Sequence, residues 1–387
     1  MQSIAAFGNQ QQTPHHLKES GLFRIHPDDD PIRVAITDFD LKNKSYIAKG
    51  SFGKVYKTSF RGGLDVAEKK CIFKERRVED YEHEQHISLE SWYRELSFHG
   101  SSKHEHIVRL HGFIAISADI SNVPLPDGKL RPLDPNRPKA LHLFLELMTC
   151  SFREILNCLF DKSHSDYSKT PFKCPEGKVQ VEPFRAFLKH VCSGLIYLHD
   201  NGYMHRDLKP GNILLKVEDG RAVAKLADFG TIKDYKETTR GEEKNLHSAD
   251  PGTTKYGAPE VIYNEGPYTK SCDLWSISIT SVQLISGYHP VVTDESQNST
   301  SRSSNTIYCR RISSDDPFTD LPEKVGLGGE LGEILGKCLE RDPEERPSAG
   351  DVLEVVGGLE NDGVLLWEWF KDLGIGEDIE SKRTGKR

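Results

Sequence analysis

The sequence predicts a two-lobed α+β fold, with a β-rich first lobe over residues 38–147 and a mainly helical second lobe over residues 148–359. In the first lobe, short apolar segments alternate with glycine turns and polar loops, which is typical of strands. In the second lobe, apolar residues recur every three or four positions, which is typical of helices packed on a core. We expect residues 1–37 to form an N-terminal tail and residues 360–387 to form a C-terminal extension.

Strands and one helix are predicted in the first lobe. Residues 45–57 predict a strand, a glycine turn and a second strand, and residues 64–73 predict the next strand. Residues 88–98 carry apolar side chains at helical spacing, so we place the one helix of this lobe there. Residues 107–116 and 140–147 predict two further short strands.

Helices are predicted in the second lobe at residues 184–199, 271–287, 331–339 and 349–356. Two other stretches lack this periodicity. Residues 117–139 are rich in Pro, Asp and Asn, and residues 293–316 are rich in Ser, Thr and Asn. Because such compositions do not favour a packed core, we expect two insertions, the first at the surface and the second mobile. The sequence leaves their roles open.

Composition and charge narrow the class of protein. The chain has 387 residues, of which 36% are hydrophobic and 28% are charged, as in a globular protein with some polar tails. A net charge of -8 argues against nucleic acid as the main partner. The eight cysteines form no CxxC pair, the N-terminus has no signal-peptide pattern, and no apolar run is long enough for a membrane span. We therefore expect a reduced cytosolic or nuclear protein.

The most specific feature of the chain is the segment His205–Asn212, HRDLKPGN, which is followed 16 residues later by Asp228–Gly230, DFG. These motifs bring two acids, an amide and a lysine into one loop-and-strand stretch. Phosphoryl transfer requires such a set: an acid that orients a hydroxyl, ligands for a divalent metal and a cation for the moving phosphate. An Asp-Phe-Gly can also be only a turn, but the two motifs in this order point to a protein kinase.

Two segments of the first lobe have the chemistry of a nucleotide site. Gly50–Val55 lies between two predicted strands, and its glycines would let the backbone approach phosphates closely, although a plain hairpin is an equal alternative. On the next strand, Ala67 and Lys69 share a face, so room for a flat base lies beside an ammonium that can reach phosphates. A buried lysine needs a carboxylate, for which Glu95 is the candidate; the alternative is a surface ion pair.

With these motifs in this order from Ile47 to Pro347, the chain resembles the eukaryotic protein kinase family over about three quarters of its length. The resemblance implies ATP and Mg²⁺ as cofactors and a protein as the substrate. It also implies nucleotide contacts from Ile47, Gly50, Ser51, Gly53, Val55, Ala67, Lys69, Leu145, Glu146, Met148 and Leu214.

The resemblance further implies roles for the residues of the two motifs. Asp207 orients the substrate hydroxyl and accepts its proton, and Lys209 stabilises charge on the transferred phosphoryl group. Asn212 and Asp228 hold Mg²⁺.

The chain resembles the serine/threonine branch of the family in particular. Lys209, two residues after the catalytic acid, is typical of that branch, as is Thr253, which bridges Asp207 and Lys209 there. With Lys69 and Glu95, these residues make up the implied catalytic set. We expect phosphorylation of serine and threonine, with dual specificity left open.

Regulation by phosphorylation of the activation loop is a further implication. In the family, an arginine at the place of Arg206 often receives a phosphate from this loop, which here covers residues 231–251. The added charge would order the loop against the arginine. We predict Thr238, Thr239 or Ser248 as the switch, phosphorylated by an upstream activating kinase; the alternative is a solvated loop that is never modified.

The resemblance also implies two structural contacts within the chain and one feature of its substrate preference. The resemblance pairs Glu260 with Arg346 and makes Asp273 the acid that braces the catalytic loop. Arginine-selecting members often carry acids at two places that hold Gly211 and Gln283 here, so strong selection for arginine just before the target residue is not expected.

Two departures from the family pattern bear on stability and activity. Glu68 replaces a usually apolar residue, and its side chain is predicted to face away from Lys69. His99 replaces a usually apolar residue that packs between the lobes, and we expect it to be able to charge near neutral pH. The alternative to an enzyme is a pseudokinase, a nucleotide- or protein-binding scaffold of the same fold, against which the presence of Lys69, Asp207, Asn212 and Asp228 argues. A small-molecule kinase is disfavoured by residues 252–260, which resemble the family's peptide-docking segment.

Overall fold

A computed structural model describes residues 19–23, 32–50, 53–72, 95–96, 98–99, 102–117, 138–163, 170–174, 176–234, 254–263, 269–290, 308, 312 and 318–384. The chain divides into two compact units. The first comprises Met1–Lys103, Val108–Leu147 and Arg383–Arg387, and the second comprises His104–Ile107 and Met148–Lys382.

The first unit contains an antiparallel sheet in the order β2-β1-β6-β7-β5-β4-β3, with seven strands among the described residues. The strands are β1 (Glu19–Phe23), β2 (Ile32–Ala35), β3 (Ser45–Gly50), β4 (Gly53–Phe60), β5 (Leu64–Ile72), β6 (Leu110–Ser117) and β7 (Pro138–Glu146). The turn from β4 to β5 places Arg61 and Gly62 at positive φ, a conformation that glycine adopts without steric cost. Residues 95, 96, 98 and 99 are helical, as predicted.

Strands β1 and β2 lie within the segment that was expected to be a tail. Strand β1 pairs with β6 in the register Glu19 to Ile116, and β2 pairs with β1. They were missed because each is short and because β1, to which β2 pairs, finds its other partner, β6, far along the chain. The predicted strand over residues 107–116 also begins later than expected, since Ile107 forms an isolated bridge with Leu226 of the second unit. The predicted domain boundary at residue 37 stays a prediction.

One face of the sheet is covered by the segment that precedes β3. Phe39 stacks on Phe144 of β7 with 3.7 Å between ring centroids, and it also contacts Phe60 of β4. Val66 of β5 and Ile114 of β6 are fully buried in the same cluster. Aromatic pairs of this kind stabilise a fold beyond the burial of their apolar surface. This buried cluster therefore forms a hydrophobic core on that face of the sheet.

The second unit is mainly helical. Its helices are α1 (Phe152–Ser163), α2 (Val181–Asp200), α3 (Pro259–Tyr263), α4 (Ser271–Ser286), α5 (Leu321–Lys324), α6 (Gly329–Lys337), α7 (Ala349–Val356) and α8 (Asp362–Leu373), followed by α9 (Gly376–Thr384). Short strands form two sheets: β8 (Cys150–Ser151), β10 (Ile213–Glu218) and β11 (Arg221–Leu226) in the order β11-β10-β8, and β9 (Tyr203–Met204) with β12 (Lys233–Asp234). The predicted α+β fold class is therefore confirmed. No helix in the described part of the chain combines the length and hydrophobicity that a membrane crossing requires.

Helix α4 is buried along its whole length, which explains why its sequence is almost continuously apolar or small. One finding contradicts the expected mobility of residues 293–316. Tyr308 and Ile312, the two described residues of that stretch, are 0% and 1% exposed and pack in one cluster with Trp275 of α4. Their spacing of four residues is the helical signal that the polar composition of the stretch concealed.

Candidate active site

Lys69 of β5 and Glu95 form the predicted ion pair in the first unit. The Lys69 ammonium lies 2.9 and 2.8 Å from the two carboxylate oxygens, and both residues are at least 96% buried. Strand β5 is paired on both sides, with Val55 of β4 and Leu143 of β7 opposite Lys69, so the lysine backbone is fixed. A buried ammonium that moves away from its carboxylate becomes an uncompensated charge, which is strongly unfavourable. We therefore expect Glu95 to hold the Lys69 ammonium in one position.

The remaining nucleotide candidates of the first unit lie on β3, β4, β5 and β7. Gly50 pairs with Gly53 across the glycine hairpin, and Ser51 lies outside the described residues. The β3–β4 register is interrupted at Ile47, and Val55 lies opposite Lys69.

Ala67 is 8% exposed and lies opposite Leu145, while the Glu146 backbone N–H donates to the Arg109 carbonyl at 2.9 Å. In the second unit, Met148 is buried and Leu214 lies opposite Ser151 in the small sheet. Val55, Ala67, Lys69, Leu145, Glu146 and Leu214 thus lie on regular, hydrogen-bonded strands, whereas Ile47 lies at an irregularity and Met148 follows β7.

Asp273 of α4 fixes the loop that carries the HRDLKPGN motif. Its carboxylate accepts hydrogen bonds from the backbone N–H groups of His205 and Arg206 at 2.9 and 2.8 Å, and from the His199 ring at 2.9 Å. Burial raises the pKa of Asp273, but the bond and charge of His199 outweigh this effect and hold the pKa below its usual value. Arg206 adopts a positive φ of 68°, which the two backbone bonds stabilise. The predicted bracing role of Asp273 is confirmed by these contacts.

Asp207 is 3% exposed and lies at the centre of a small polar cluster. Its carboxylate oxygens lie 3.0 and 2.8 Å from the Lys209 ammonium, and one of them accepts from the Asn212 amide at 2.9 Å. Burial raises the pKa of Asp207 and the negative charge of Asp228 raises it further, while Lys209 opposes both. The two carboxylates thus repel each other, an arrangement that a bound cation would relieve.

Asp228 begins the DFG turn in the second unit. It adopts a left-handed backbone conformation with φ 64°, and Phe229 is fully buried with its ring 5.1 Å from that of His205. The Ala227 N–H donates to the Asn212 carbonyl at 2.9 Å, which ties the turn to the catalytic loop.

The oxygens of Asp228 and Asn212 fit Mg²⁺, which usually binds one or two protein carboxylates and completes its shell with substrate phosphates and water. Thr253, the remaining catalytic candidate, lies outside the described residues.

Glu260 and Arg346 make the predicted bidentate ion pair, with N–O distances of 2.7 and 2.9 Å. This pair fixes the start of α3, at the end of the predicted docking segment. One supporting residue was missed by the sequence analysis: the Tyr308 hydroxyl donates to the Gly257 carbonyl at 2.8 Å and accepts from the Trp275 indole at 3.0 Å. A buried tyrosine hydroxyl needs such partners, and only the fold shows where they are.

Comparison with known proteins agrees with this geometry. A family model described as the protein kinase domain matches residues 41–356 of the chain. The chain belongs to the protein kinase family. The match includes every predicted site residue from Ile47 to Thr253, and this kinase domain has the antiparallel sheet and the helical unit that the predicted fold requires.

Curated relatives give finer similarities. The kinase domain is 34% identical over 178 residues to serine/threonine-protein kinase pakG of Dictyostelium discoideum, covering 46% of this chain and 14% of that protein. It is 32% identical over 181 residues to calcium/calmodulin-dependent protein kinase type I of Schizosaccharomyces pombe, covering 47% and 50%. It is 27% identical over 223 residues to serine/threonine-protein kinase par-4 of Caenorhabditis briggsae, covering 55% and 29%. The chain thus spans half or less of the length of these curated relatives.

Proposed function

We propose that this kinase domain transfers the γ-phosphate of ATP to serine and threonine hydroxyls of protein substrates. The cluster of Asp207, Lys209 and Asn212 is the observation that carries the proposal, because it presents a buried acid beside a cation and an amide. The similarity to pakG and par-4, which are serine/threonine-protein kinases, supports the choice of hydroxyl. The presence of all the catalytic side chains argues against a scaffold.

In the proposed reaction, Asp207 orients the acceptor hydroxyl and takes its proton as the oxygen attacks the γ-phosphorus, while the bond from that phosphorus to the β–γ bridging oxygen breaks and ADP leaves. Lys209, already bound to Asp207, stabilises the negative charge on the transferred group. Lys69, held by Glu95, binds the phosphates of the nucleotide. Asn212 and Asp228 hold Mg²⁺, which when bound neutralises charge on the phosphate oxygens.

The first prediction tests this assignment at Asp207. Asp207→Asn removes the proton acceptor but keeps the shape of the side chain, so the phosphorylation rate should fall roughly 10²- to 10⁴-fold. The measurement is phosphate transfer from ATP to a generic protein substrate, with wild type, Asp207→Asn and Lys69→Met purified in parallel. Glu333→Gln, an exposed change on α6, is the matched control.

The outcomes separate the enzyme from its rival. Equal turnover in every variant would mean that the signal comes from a contaminant, and the proposal would fail. No turnover in wild type, together with a thermal shift on addition of ATP and Mg²⁺, would favour a nucleotide-binding pseudokinase.

We also propose that phosphorylation of Thr238, Thr239 or Ser248 by an upstream kinase activates the domain. All three residues lie outside the described residues, and the proposal depends on Arg206 beside the catalytic acid. A phosphate adds charge that an arginine can bind. Mass spectrometry of active enzyme should find phosphate between residues 231 and 254, and active enzyme without it would contradict the proposal.

For location, we propose a reducing compartment, the cytosol or the nucleus. Six cysteines in the described part of the chain are free, and five of them are buried. Cytosolic and nuclear proteins rarely contain disulfides. Cell fractionation checks this assignment, and recovery of the protein from a secretory compartment would contradict it.

A further inference from the structure

Two cationic side chains of the second unit lie next to the catalytic loop and have no role in the reaction proposed above. Arg153 is exposed in the first turn of α1, and its backbone N–H donates to the Pro210 carbonyl at 2.9 Å. Lys255 is half-buried in a short 3-10 turn, Thr254–Tyr256, within the predicted docking segment 252–260. Tyr256 links them, because its hydroxyl accepts from the Arg153 guanidinium at 3.3 Å and it directly follows Lys255.

Neither cation has a carboxylate partner within the part of the chain that the structure describes. Two described neighbouring positions are neutral. The Tyr256 hydroxyl donates to Gln283, an amide, at 2.7 Å, and Gly211 has no side chain, although a Cβ there would lie 4.0 Å from that of Arg153.

Among the described residues, the groups that act on this pair do not neutralise its positive charge. The pKa of Lys255 is lowered by burial and by the positive charge of Arg153, so the two cations lie close enough to repel each other. His289 beneath them donates to the Lys255 carbonyl, and burial lowers its pKa to about 3, which keeps it uncharged near neutral pH.

The catalytic acid lies within electrostatic range of the same tyrosine. Burial raises the pKa of Tyr256, and the charges of Arg153 and Asp207 act on it with opposite sign. Pro210, which accepts the Arg153 backbone bond, is three residues beyond Asp207. A peptide that brings its hydroxyl to Asp207 therefore passes close to both cations.

We infer that Arg153 and Lys255 form a recognition site for an acidic side chain of the substrate, close in sequence to the phosphorylated serine or threonine. This inference rests on the proposed function and adds to it the class of substrate: acidic peptides. Charge complementarity at exposed positions changes affinity modestly, so we expect a preference of roughly 3- to 10-fold for the acidic peptide.

The test is a peptide series in which one glutamate is moved through the five positions on either side of a single serine, with glutamine at the same positions as reference. The measured quantity is the ratio of kcat/KM for each glutamate peptide to that of its glutamine partner. Wild type should give a ratio of roughly 3 to 10 at one or two positions. The ratio should decrease as salt is raised, because ions screen exposed charges.

Variants assign the preference to these side chains. Arg153→Gln with Lys255→Gln should bring the ratio to about one, and Arg153→Glu with Lys255→Glu should favour lysine peptides at the same positions. Lys337→Glu on α6, an exposed cation elsewhere in the unit, is the control and should keep the wild-type ratio.

Three outcomes would overturn the inference. One is a wild-type ratio near one at every position, and another is a preference that survives in both double variants. The third is a wild type that phosphorylates no peptide and no protein, which would refute the proposed function as well. Phosphorylation without the acidic preference would refute the inference alone.

Discussion

Glu68 is a fully buried carboxylate on the face of β5 opposite Lys69. It accepts a hydrogen bond from His142 of β7 at 2.6 Å and lies 3.3 Å from the Lys44 ammonium. Burial raises the pKa of Glu68, but the His142 bond and the two neighbouring positive charges outweigh it, so the pKa lies below its usual value. An ionised acid inside a core is stable only while these partners remain.

A double-mutant cycle on this pair gives the second prediction. Glu68→Leu alone leaves His142 buried without its acceptor, and His142→Leu alone leaves a buried carboxylate with one cation, so each should destabilise the first unit by about 3–5 kcal/mol. The double variant replaces the pair with apolar volume and should lie within about 1–2 kcal/mol of wild type. Urea unfolding with an unchanged m-value measures this; additive losses would contradict the coupling.

Glu68 and its partners also show which features of the fold a sequence can predict. The sequence revealed Glu68 as a departure and its orientation, because strand alternation is a local property. It did not reveal His142, which is 74 residues away and lies diagonally across the β5–β7 register. The expectation that His99 charges near neutral pH is wrong for the same reason. Burial and the nearby Lys69 charge lower its pKa to about 3.

At the scale of elements, helix α8 is the main addition to the predicted fold. Trp369 stacks on Phe172 with 4.7 Å between ring centroids, and its indole N–H donates to the Pro171 carbonyl. At the start of the helix, Asp362 pairs with Lys189 of α2 at 2.6 Å. Helix α8 lies beyond residue 356, where the family match ends, so it is an extension that packs on the second unit.

The third prediction concerns this packing. Trp369→Ala should cost about 3–5 kcal/mol of stability, because it leaves a large cavity among aromatic rings. Trp369→Phe keeps most of the apolar volume but loses the indole hydrogen bond. The loss of that bond should cost about 1 kcal/mol of stability, in addition to the cost of the smaller buried apolar area. Glu368→Ala, an exposed neighbour, is the control. Far-UV circular dichroism during urea unfolding measures all three; equal stabilities of Trp369→Ala and the control would refute the packing role.

The helices and strands that the sequence predicted share one property. Each has a periodic pattern of apolar residues that is long enough to be recognised without knowledge of its partners in the fold. Helix α2 was predicted over residues 184–199 and spans Val181–Asp200, and α7 was predicted with its observed bounds. By contrast, β1 and β2 have four or five residues each, and only β1 pairs with the distant β6, while β2 pairs with β1. The catalytic loop was predicted because its chemistry is contiguous in sequence, whereas Tyr308, which supports the segment after it, depends on contacts made only by the fold.

At the scale of the whole molecule, buried histidines make stability depend on pH. Burial is the main cause that lowers the pKa of His99 in the first unit, and of His190 and His289 in the second, to about 3. His190 stacks on His106 with 4.3 Å between ring centroids and accepts from the Ala224 N–H, so its neutral form is built into the fold. In an unfolded chain a histidine has a pKa of about 6.5.

Below pH 6.5 the unfolded chain therefore binds protons that the folded units do not, so stability is full above that pH and is lost as pH falls toward about 3. At pH 5, each of these imidazoles should remove about 2 kcal/mol of stability.

The fourth prediction is that His190→Asn, whose amide oxygen can still accept the Ala224 N–H, reduces the loss between pH 7.5 and pH 5 by about 2 kcal/mol. Leu366→Ala, a buried change without a titrating group, should lower stability equally at both pH values. Tryptophan fluorescence during urea unfolding reports on the second unit once Trp92→Phe removes the tryptophan that belongs to the first. An unchanged acid loss in His190→Asn would mean that this histidine is not the neutral, buried group that the fold requires.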